Sequence, residues 1–253
     1  MFGKVLQVFM VFPTVLLSMA LRAQGGTVDQ TNAWLMYFGN HRLNDRFGVH
    51  TEYQWRRNDG FVHWQQSLAR VGLDFHTKGG PIISAGYGWI VSYPYGTQPI
   101  AYPFTEHRIW EQLIITSAAG RWHFHHRYRL EQRSLQVKAM DDTGAYVPNG
   151  DLFKQRARYR FMVTMPITRR TMADNTLFLA MYNEVFLQFG RHVGTNILDQ
   201  NRLYGALGWR LKADANLQIG YLNQYIPKAD GINVERNHTM QVGITYNIDA
   251  RGK

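Results

Sequence analysis

Between Arg121 and Gln132 the chain changes character at every residue. Arg121, His123, His125, Arg127, Arg129 and Glu131 fall on one phase; Trp122, Phe124, His126, Tyr128, Leu130 and Gln132 fall on the other. Successive side chains of a β-strand point to opposite faces, so a sheet with one polar and one apolar face must alternate with period two. A helix of period 3.6 does not sort residues in this way. The pattern recurs. Lys154, Arg156, Arg158 and Arg160 alternate with Phe153, Ala157, Tyr159, Phe161, Val163 and Met165. His50, Glu52, Gln54 and Arg56 alternate with Val49, Thr51, Tyr53 and Trp55, and Thr239, Gln241, Thr245 and Asn247 with Met240, Val242, Ile244, Tyr246 and Ile248.

Eleven such segments can be traced, near 32–42, 46–57, 62–77, 81–95, 104–118, 121–136, 152–169, 175–190, 200–212, 215–227 and 236–249. Each is close to the length that a tilted membrane-crossing strand requires. Short turns at Leu43-Asn44-Asp45, Lys78-Gly79-Gly80, Ala119-Gly120 and Ala213-Asp214 alternate with longer polar connections at 96–103, 137–151, 191–199 and 228–235. That asymmetry is the one expected of periplasmic turns and extracellular loops. The expected fold is all-β: an up-and-down antiparallel transmembrane β-barrel of ten to twelve strands. Bacterial single-chain barrels have even strand numbers, so twelve is favoured over the eleven segments counted.

Alternation alone does not tell a soluble β-sandwich from a membrane barrel, which turns its apolar face outward. The kind of polar residue decides: one phase is heavy with Arg, Glu, Gln and His able to pair across a lumen. The other phase carries aromatics near segment ends, as interfacial girdles do; Trp34, Tyr37, Trp89, Tyr93, Tyr95, Trp122, Trp209 and Tyr246 are the examples. Aromatic residues make up 14 % and charged residues only 18 % of the chain, below the ~25 % charged usual for soluble domains. Two carboxylates break the phase: Glu111 falls beside Ile109 and Leu113, and Glu184 with Phe178, Tyr182 and Phe186. A charge facing lipid at mid-bilayer is costly, up to ~2–4 kcal/mol, so a bulge or shifted register that carries both inside is expected.

The N-terminus reads as a leader. A basic start, Met1 to Lys4, precedes an apolar run from Val5 to Ala20 and then Leu21-Arg22-Ala23-Gln24. That is the layout of a secretory signal. The run is too short, and too interrupted by Pro13, for the ~20 residues of a spanning helix. The expected domains are therefore a leader over 1–23 and a barrel over 24–253, with cleavage after Ala23 and Ala20 as the alternative. Cleavage removes Lys4 and Arg22 and lowers the formal charge of +10 by two. No later segment carries 18 consecutive apolar residues, which excludes a helical membrane protein. The chain has no cysteine, hence no disulfide framework, thiolate metal site or thiol nucleophile.

The order of several short motifs carries a resemblance. Gln66-x-x-x-Arg70-x-Gly72-Leu73, Gly86-Tyr87, Glu106-x-Arg108-x-Trp110-x-Gln112 and Arg127-x-Arg129-x-Glu131-x-Arg133 are followed by Arg156-x-Arg158-x-Arg160, Asn183-Glu184-x-Phe186, Gln200-Asn201-Arg202 and Gly220-Tyr221. This succession resembles the domain of unknown function numbered 2490, a family of secreted proteins mainly of Bacteroidota with a predicted outer-membrane barrel. The resemblance covers nearly all of the chain beyond the leader. It implies fold and location and brings no activity and no catalytic residue.

The charged phase supplies the candidate functional residues: Glu52, Arg56, Arg70, Glu106, Arg108, Arg127, Arg129, Glu131, Arg133, Arg156, Arg158, Arg160, Glu184 and Arg202. Arginine pairs carboxylates in bidentate fashion, so these residues either fill a narrow lumen as ion pairs or line an anion-preferring conduit. His123 and His125 share a strand face, a weak metal-ligand pair with no third ligand in sight. Ser67, Ser84, Ser92, Ser117 and Ser134 occupy no recognisable nucleophile context, nor do His63, His107 and His123 stand in a special relation to them. Gly86-Tyr87-Gly88 lies inside a strand and reads as close packing or a bend, not a phosphate loop. No cofactor and no catalytic residue is assigned. The expected partners are outer-membrane lipid, the barrel-assembly machinery and small anionic solutes, and not nucleic acid. Two other readings stand beside the pore and the ion-paired barrel: an outer-membrane enzyme modifying lipid, and a structural or adhesive barrel working through its long loops. On the leader reading, mass measurement of the protein recovered from membranes should place its N-terminus at Gln24, and a retained Met1 would overturn it.

Overall fold

A computed structural model gives the structure of the protein and describes residues 26–97 and 99–251; the leader lies outside the described residues. Eleven strands form one closed barrel in chain order. They are β1 (Thr27–Arg42), β2 (Phe47–Asn58), β3 (His63–His76), β4 (Ile82–Ser92), β5 (Phe104–Ala119), β6 (Trp122–Met140), β7 (Tyr146–Pro166), β8 (Thr176–Phe189), β9 (Leu198–Lys212), β10 (Ala215–Pro227) and β11 (Val234–Tyr246). Neighbours in sequence pair antiparallel, and the seam is parallel, from Thr27 opposite Val234 to Phe38 opposite Thr245. The expected twelfth strand is not present among the described residues. Parallel pairing satisfies the same backbone groups at only slightly lower stability per residue. An odd sheet can therefore close without leaving an unpaired edge. The consequence is that β1 begins at one end of the barrel and β11 finishes at the other.

The connections sort by end. Positions 43–46, 77–81, 120–121, 167–175 and 213–214 lie at the end where β11 finishes, and 59–62, 93–103, 141–145, 190–197 and 228–233 at the end where β1 begins. The segment expected as a long loop over 137–151 is mostly strand: β6 runs to Met140 and β7 starts at Tyr146. Its tight turn is held by Asp141, whose carboxylate accepts from the backbone N–H of Thr143 and of Ala145 at 2.9 Å each. These contacts, with the Thr143 hydroxyl foremost, hold the Asp141 carboxyl below its usual range.

The outward face is apolar. Leu73, Trp89, Ile109, Trp122, Leu130, Met181, Leu203, Trp209, Ile219 and Met240 are each exposed. The inward face is polar and buried: His50, Glu52, Gln54 and Arg56 on β2, for example, or Thr239 and Gln241 on β11. The alternation read from sequence is thus the alternation of the wall, with three corrections, the first being Tyr95, which turns inward to Glu235 and not outward to a girdle. Glu111 stays outside and exposed. The β4–β5 and β5–β6 registers run unbroken past it, because a one-residue slip would also turn Glu106, Arg108, Trp110 and Gln112 outward. Its carboxylate accepts from Gln132 Nε2 at 3.2 Å. Trp34 does not belong to an outer girdle. It is 1 % exposed inside the barrel, and its indole N–H donates to Gln65 Oε1 at 2.6 Å. Gln65 reaches it from a bulge, where the β2–β3 register shifts between Arg56 and Arg57.

The interior has two sides. Trp34, Met36, Tyr204 and Leu222 form an apolar cluster on β1, β9 and β10, flanked by Phe38, Tyr182 and Ala206. The charged residues come mainly from β2 to β8. Between them, glycines on β3 and β4 make a smooth patch of wall. A Cβ at Gly86 would lie 2.2 Å from the Val71 carbonyl oxygen and 2.5 Å from the Trp110 ring, and one at Gly72 would lie 2.5 Å from the same ring. Trp110 therefore lies against backbone, and at Gly86 this is the close packing expected of the Gly86-Tyr87-Gly88 run. Gly86→Val should destabilise the barrel by about 1–3 kcal/mol, the usual penalty of overpacking. Denaturant unfolding in detergent micelles reads this, and an unchanged midpoint would refute the Trp110–glycine contact.

Candidate functional site

Of the fourteen charged residues singled out from the sequence, twelve are buried inside the barrel, and Arg133 and Arg160 are partly buried. Ten of them form one connected network of ion pairs around Glu131, which is 0 % exposed. Arg156 and Arg158 of β7 reach its two oxygens at 2.5 and 2.7 Å. Arg108 of β5 and Arg70 of β3 approach at 3.3 and 3.5 Å. Gly88 makes room for Arg70, since a Cβ there would sit 3.1 Å from its Cγ.

Other carboxylates extend the network. Glu106 takes a bidentate contact from Arg133, at 2.8 and 2.9 Å, and one from Arg108 at 2.5 Å. Glu184 receives Arg127 at 2.6 Å and Arg158 at 2.8 Å. Glu52 receives Arg70 at 2.7 Å, His50 at 3.4 Å and the Gln54 amide. Arg158 joins Glu131 to Glu184, and Arg70 joins Glu131 to Glu52. Like charges also meet across the strands, Arg127 opposite Arg160 and Arg129 opposite Arg158. The shared carboxylates offset that repulsion, because in a low-dielectric interior the attraction of a well-placed ion pair is strong.

Glu184 is inside, as expected, but by a different route. It shares its inward phase with Phe178, Tyr182 and Phe186, so the aromatic phase of β8 is the lumenal one. The register shift beside it falls in β9 and makes Asp199 the extra residue. Asp199 then meets Arg156 at 2.5 Å. Strict alternation places Asp199 out of phase with Gln200 and Arg202, which is why the sequence does not reveal it. The bulge itself has no signature in the residues around it.

Four lumenal arginines have no carboxylate within 4.0 Å among the described residues: Arg56, Arg129, Arg160 and Arg202. Arg129 shares the Gln112 amide oxygen and lies 4.9 Å from the Trp110 ring centre. Arg160 lies over Tyr182. Arg56 is bound by Gln54 and Gln66 and lies 4.0 Å from the Trp34 ring centre. Arg202 lies between the rings of Trp34 and Phe186, at 5.2 and 4.8 Å. Stacking on an aromatic face is favourable for a guanidinium, but it does not neutralise the charge.

Above this network, toward the end where β1 begins, lies a cavity of about 240 Å³ lined by seven arginines and one carboxylate, that of Asp199. Tyr93, Tyr95 and Ile100 of the 93–103 connection line its mouth. Tyr95 donates its hydroxyl to Glu235 at 2.5 Å, and Gln30 donates to Thr97 at 3.2 Å. Burial first, then the neighbouring Glu235 carboxylate, pushes the Tyr95 phenol above its usual range, so it stays a donor. A larger cleft, about 400 Å³, lies on the outer wall over Ala157, between Tyr128, Leu130 and Val185. It is an apolar gap left by a small side chain.

His123 and His125 lie half-buried on the lumenal phase of β6, and no cluster of three metal-ligating side chains gathers there among the described residues. No serine hydroxyl bonds a histidine among the described residues. Ser67 faces Tyr53, Ser84 faces Gln112, Ser92 faces Gln66 and Ser134 faces Asp151. The lipid-hydrolase alternative therefore draws no support from this geometry.

Fold and site together define an up-and-down β-barrel with an apolar exterior and an arginine-rich, ion-paired interior. The family model described as "protein of unknown function (DUF2490)" matches residues 31–249, and the chain belongs to that family. No curated protein and no solved structure matches the chain.

Removing one partner of a buried ion pair leaves an uncompensated charge and costs about 3–5 kcal/mol. Glu131→Gln should lower barrel stability by this amount, measured as a shift of the unfolding midpoint. A shift no larger than that of the exposed Glu111→Gln would show that the network contributes nothing.

Proposed function

We propose that this chain is an outer-membrane β-barrel protein whose lumen is sealed, not an open pore. Export by the leader and insertion by the barrel-assembly machinery belong to the same reading. Its support is the inverted wall: large apolar side chains face outward along the strands while charged groups are buried, the arrangement that hydrocarbon surroundings require. Aromatics such as Trp89, Trp122, Trp209 and Tyr246 stand exposed on that exterior, suited to an interface between lipid and water.

One observation carries the sealed reading. Trp34, Leu68, Ile90, Trp110, Glu131 and Leu222, from six different strands, are each 0–1 % exposed. A continuous aqueous path along the barrel would wet side chains that project into it from all sides. The interior is instead closed by ion pairs on one side and aromatic rings on the other. The network acts as a plug built from the wall itself, with no separate plug domain and no inserted helix among the described residues. The rival reading is a narrow conduit selective for anions, motivated by the surplus of arginine over carboxylate.

Purified protein incorporated into planar bilayers should give no steady conductance above the bare membrane. Glu131→Ala, which removes the central carboxylate, should introduce brief openings that favour anions. A stable anion-selective conductance from the unaltered protein would overturn the sealed reading in favour of the conduit.

A further inference from the structure

We infer that the cavity above the plug is a binding site for a small aryl or alkyl oxyanion, a carboxylate or phosphate head on a short apolar body. Arg202 and Arg56 are its principal ligands. Arg202 is 7 % exposed. Its guanidinium is fixed between the Trp34 and Phe186 rings, and its one hydrogen bond among the described residues runs from Nε to Gln200 Oε1 at 3.2 Å. Both Nη groups are left without a partner on a side chain that lines the cavity. Arg56, equally buried, shares the Trp34 ring and is held by neutral amides alone.

The Nη groups of Arg202 open onto the cavity, and a guanidinium largely withdrawn from bulk water is stabilised by a counter-charge. The acids of the plug are already shared among several arginines, and Asp199, the one acid of the cavity wall, is taken by Arg156. Glu184, opposite Arg202 on β8, is already bound by Arg127 and Arg158, so an incoming oxyanion would give Arg202 the direct partner it lacks. Planar arginine forks suit carboxylate and phosphate, whose oxygens accept parallel N–H bonds. Preorganisation favours the same choice, because the stacked rings hold the fork before any ligand arrives.

The remaining wall sets the body of the ligand. Leu68, Tyr93, Ile100, Phe104, Phe186 and Ile226 face the same cavity beside the amides of Gln54, Gln65, Gln66, Gln200 and Gln224, so part of its wall is a surface for an apolar group. The volume, about 240 Å³, lies below the ~300–1,000 Å³ of sites that take drug-sized molecules. The cavity therefore fits a small molecule and excludes a lipid with full acyl chains. Access is from the end where the 93–103 connection lies, so on the outer-membrane reading the ligand enters from the loop side and stops at the plug.

The test uses the full-length protein in detergent micelles and isothermal titration with phenyl phosphate, benzoate and uncharged benzyl alcohol. One or both anions should bind at one site, the tighter identifying the head group, and benzyl alcohol should not. Arg202→Met should weaken binding by roughly tenfold or more, the scale of a lost charge-assisted hydrogen bond. Gln200→Glu places a carboxylate beside Arg202, so it should abolish binding while keeping the barrel folded, as judged by its resistance to denaturation in unheated gel samples. Arg169→Met, at the opposite end, should change nothing. Absence of binding by both anions, binding of benzyl alcohol as tight as that of the anions, or full binding by folded Gln200→Glu protein would overturn the proposal. Conductance by the unaltered protein with anion binding intact would instead remove the sealed reading and leave this one.

Discussion

Glu131 is the point on which the interior turns. One carboxylate on β6, wholly removed from solvent, is approached by arginines from β3, β5 and β7. All four of these arginines continue to a second acid: Arg158 to Glu184, Arg70 to Glu52, Arg108 to Glu106 and Arg156 to Asp199. Ion pairs out of water contribute little net stability compared with an apolar core of equal volume. Their effect here is geometric. A carboxylate with several forked donors permits few arrangements, so strands distant in sequence are held in one relation, and the space that a lumen would occupy is filled from the wall.

The parallel seam sets the polarity of the molecule. With eleven strands, β1 and β11 run in the same direction, and the end that carries the 93–103 and 228–233 connections also receives the start of β1. The contacts at that mouth draw on both: Gln30 of β1 bonds Thr97, and Glu235 of β11 bonds Tyr95. Lys228 also reaches Glu235. The rim of the cavity is therefore tied directly to the seam, and closing the barrel and forming its mouth are one structural event.

Much of this was legible in the sequence because a wall with opposed faces writes itself in period two. The eleven segments, the four short turns and the charged lumenal phase of β2, β6 and β7 follow from that alone. What was hidden lay wherever the phase carries no chemical contrast. Trp34 and Phe186 are apolar yet lumenal, because the interior of a filled barrel needs rings as well as charges. Glu111 is charged yet external, because its strand's register is fixed by four inward neighbours. Asp199 turns inward at a bulge that no residue type announces. The parity argument for a twelfth strand failed for a physical reason: it assumed an antiparallel seam, and backbone pairing does not demand one.

The surplus of arginine is the feature that structural economy does not explain. A plug needs acids and bases near balance, and Glu131, Glu184, Glu106, Glu52 and Asp199 come close to it against the arginines that pair with them. Arg56 and Arg202 add charge without adding an ion pair, both against the Trp34 ring. Leucine or glutamine there would close the barrel at lower electrostatic cost. Arg129 and Arg160 are also unpaired, but neither lines the cavity. The surplus positions that do line it are the two that share the Trp34 face, opening onto space in the direction from which a solute can come. An unbalanced charge kept at such a position is explained if its counterpart is a ligand and not a residue of the chain.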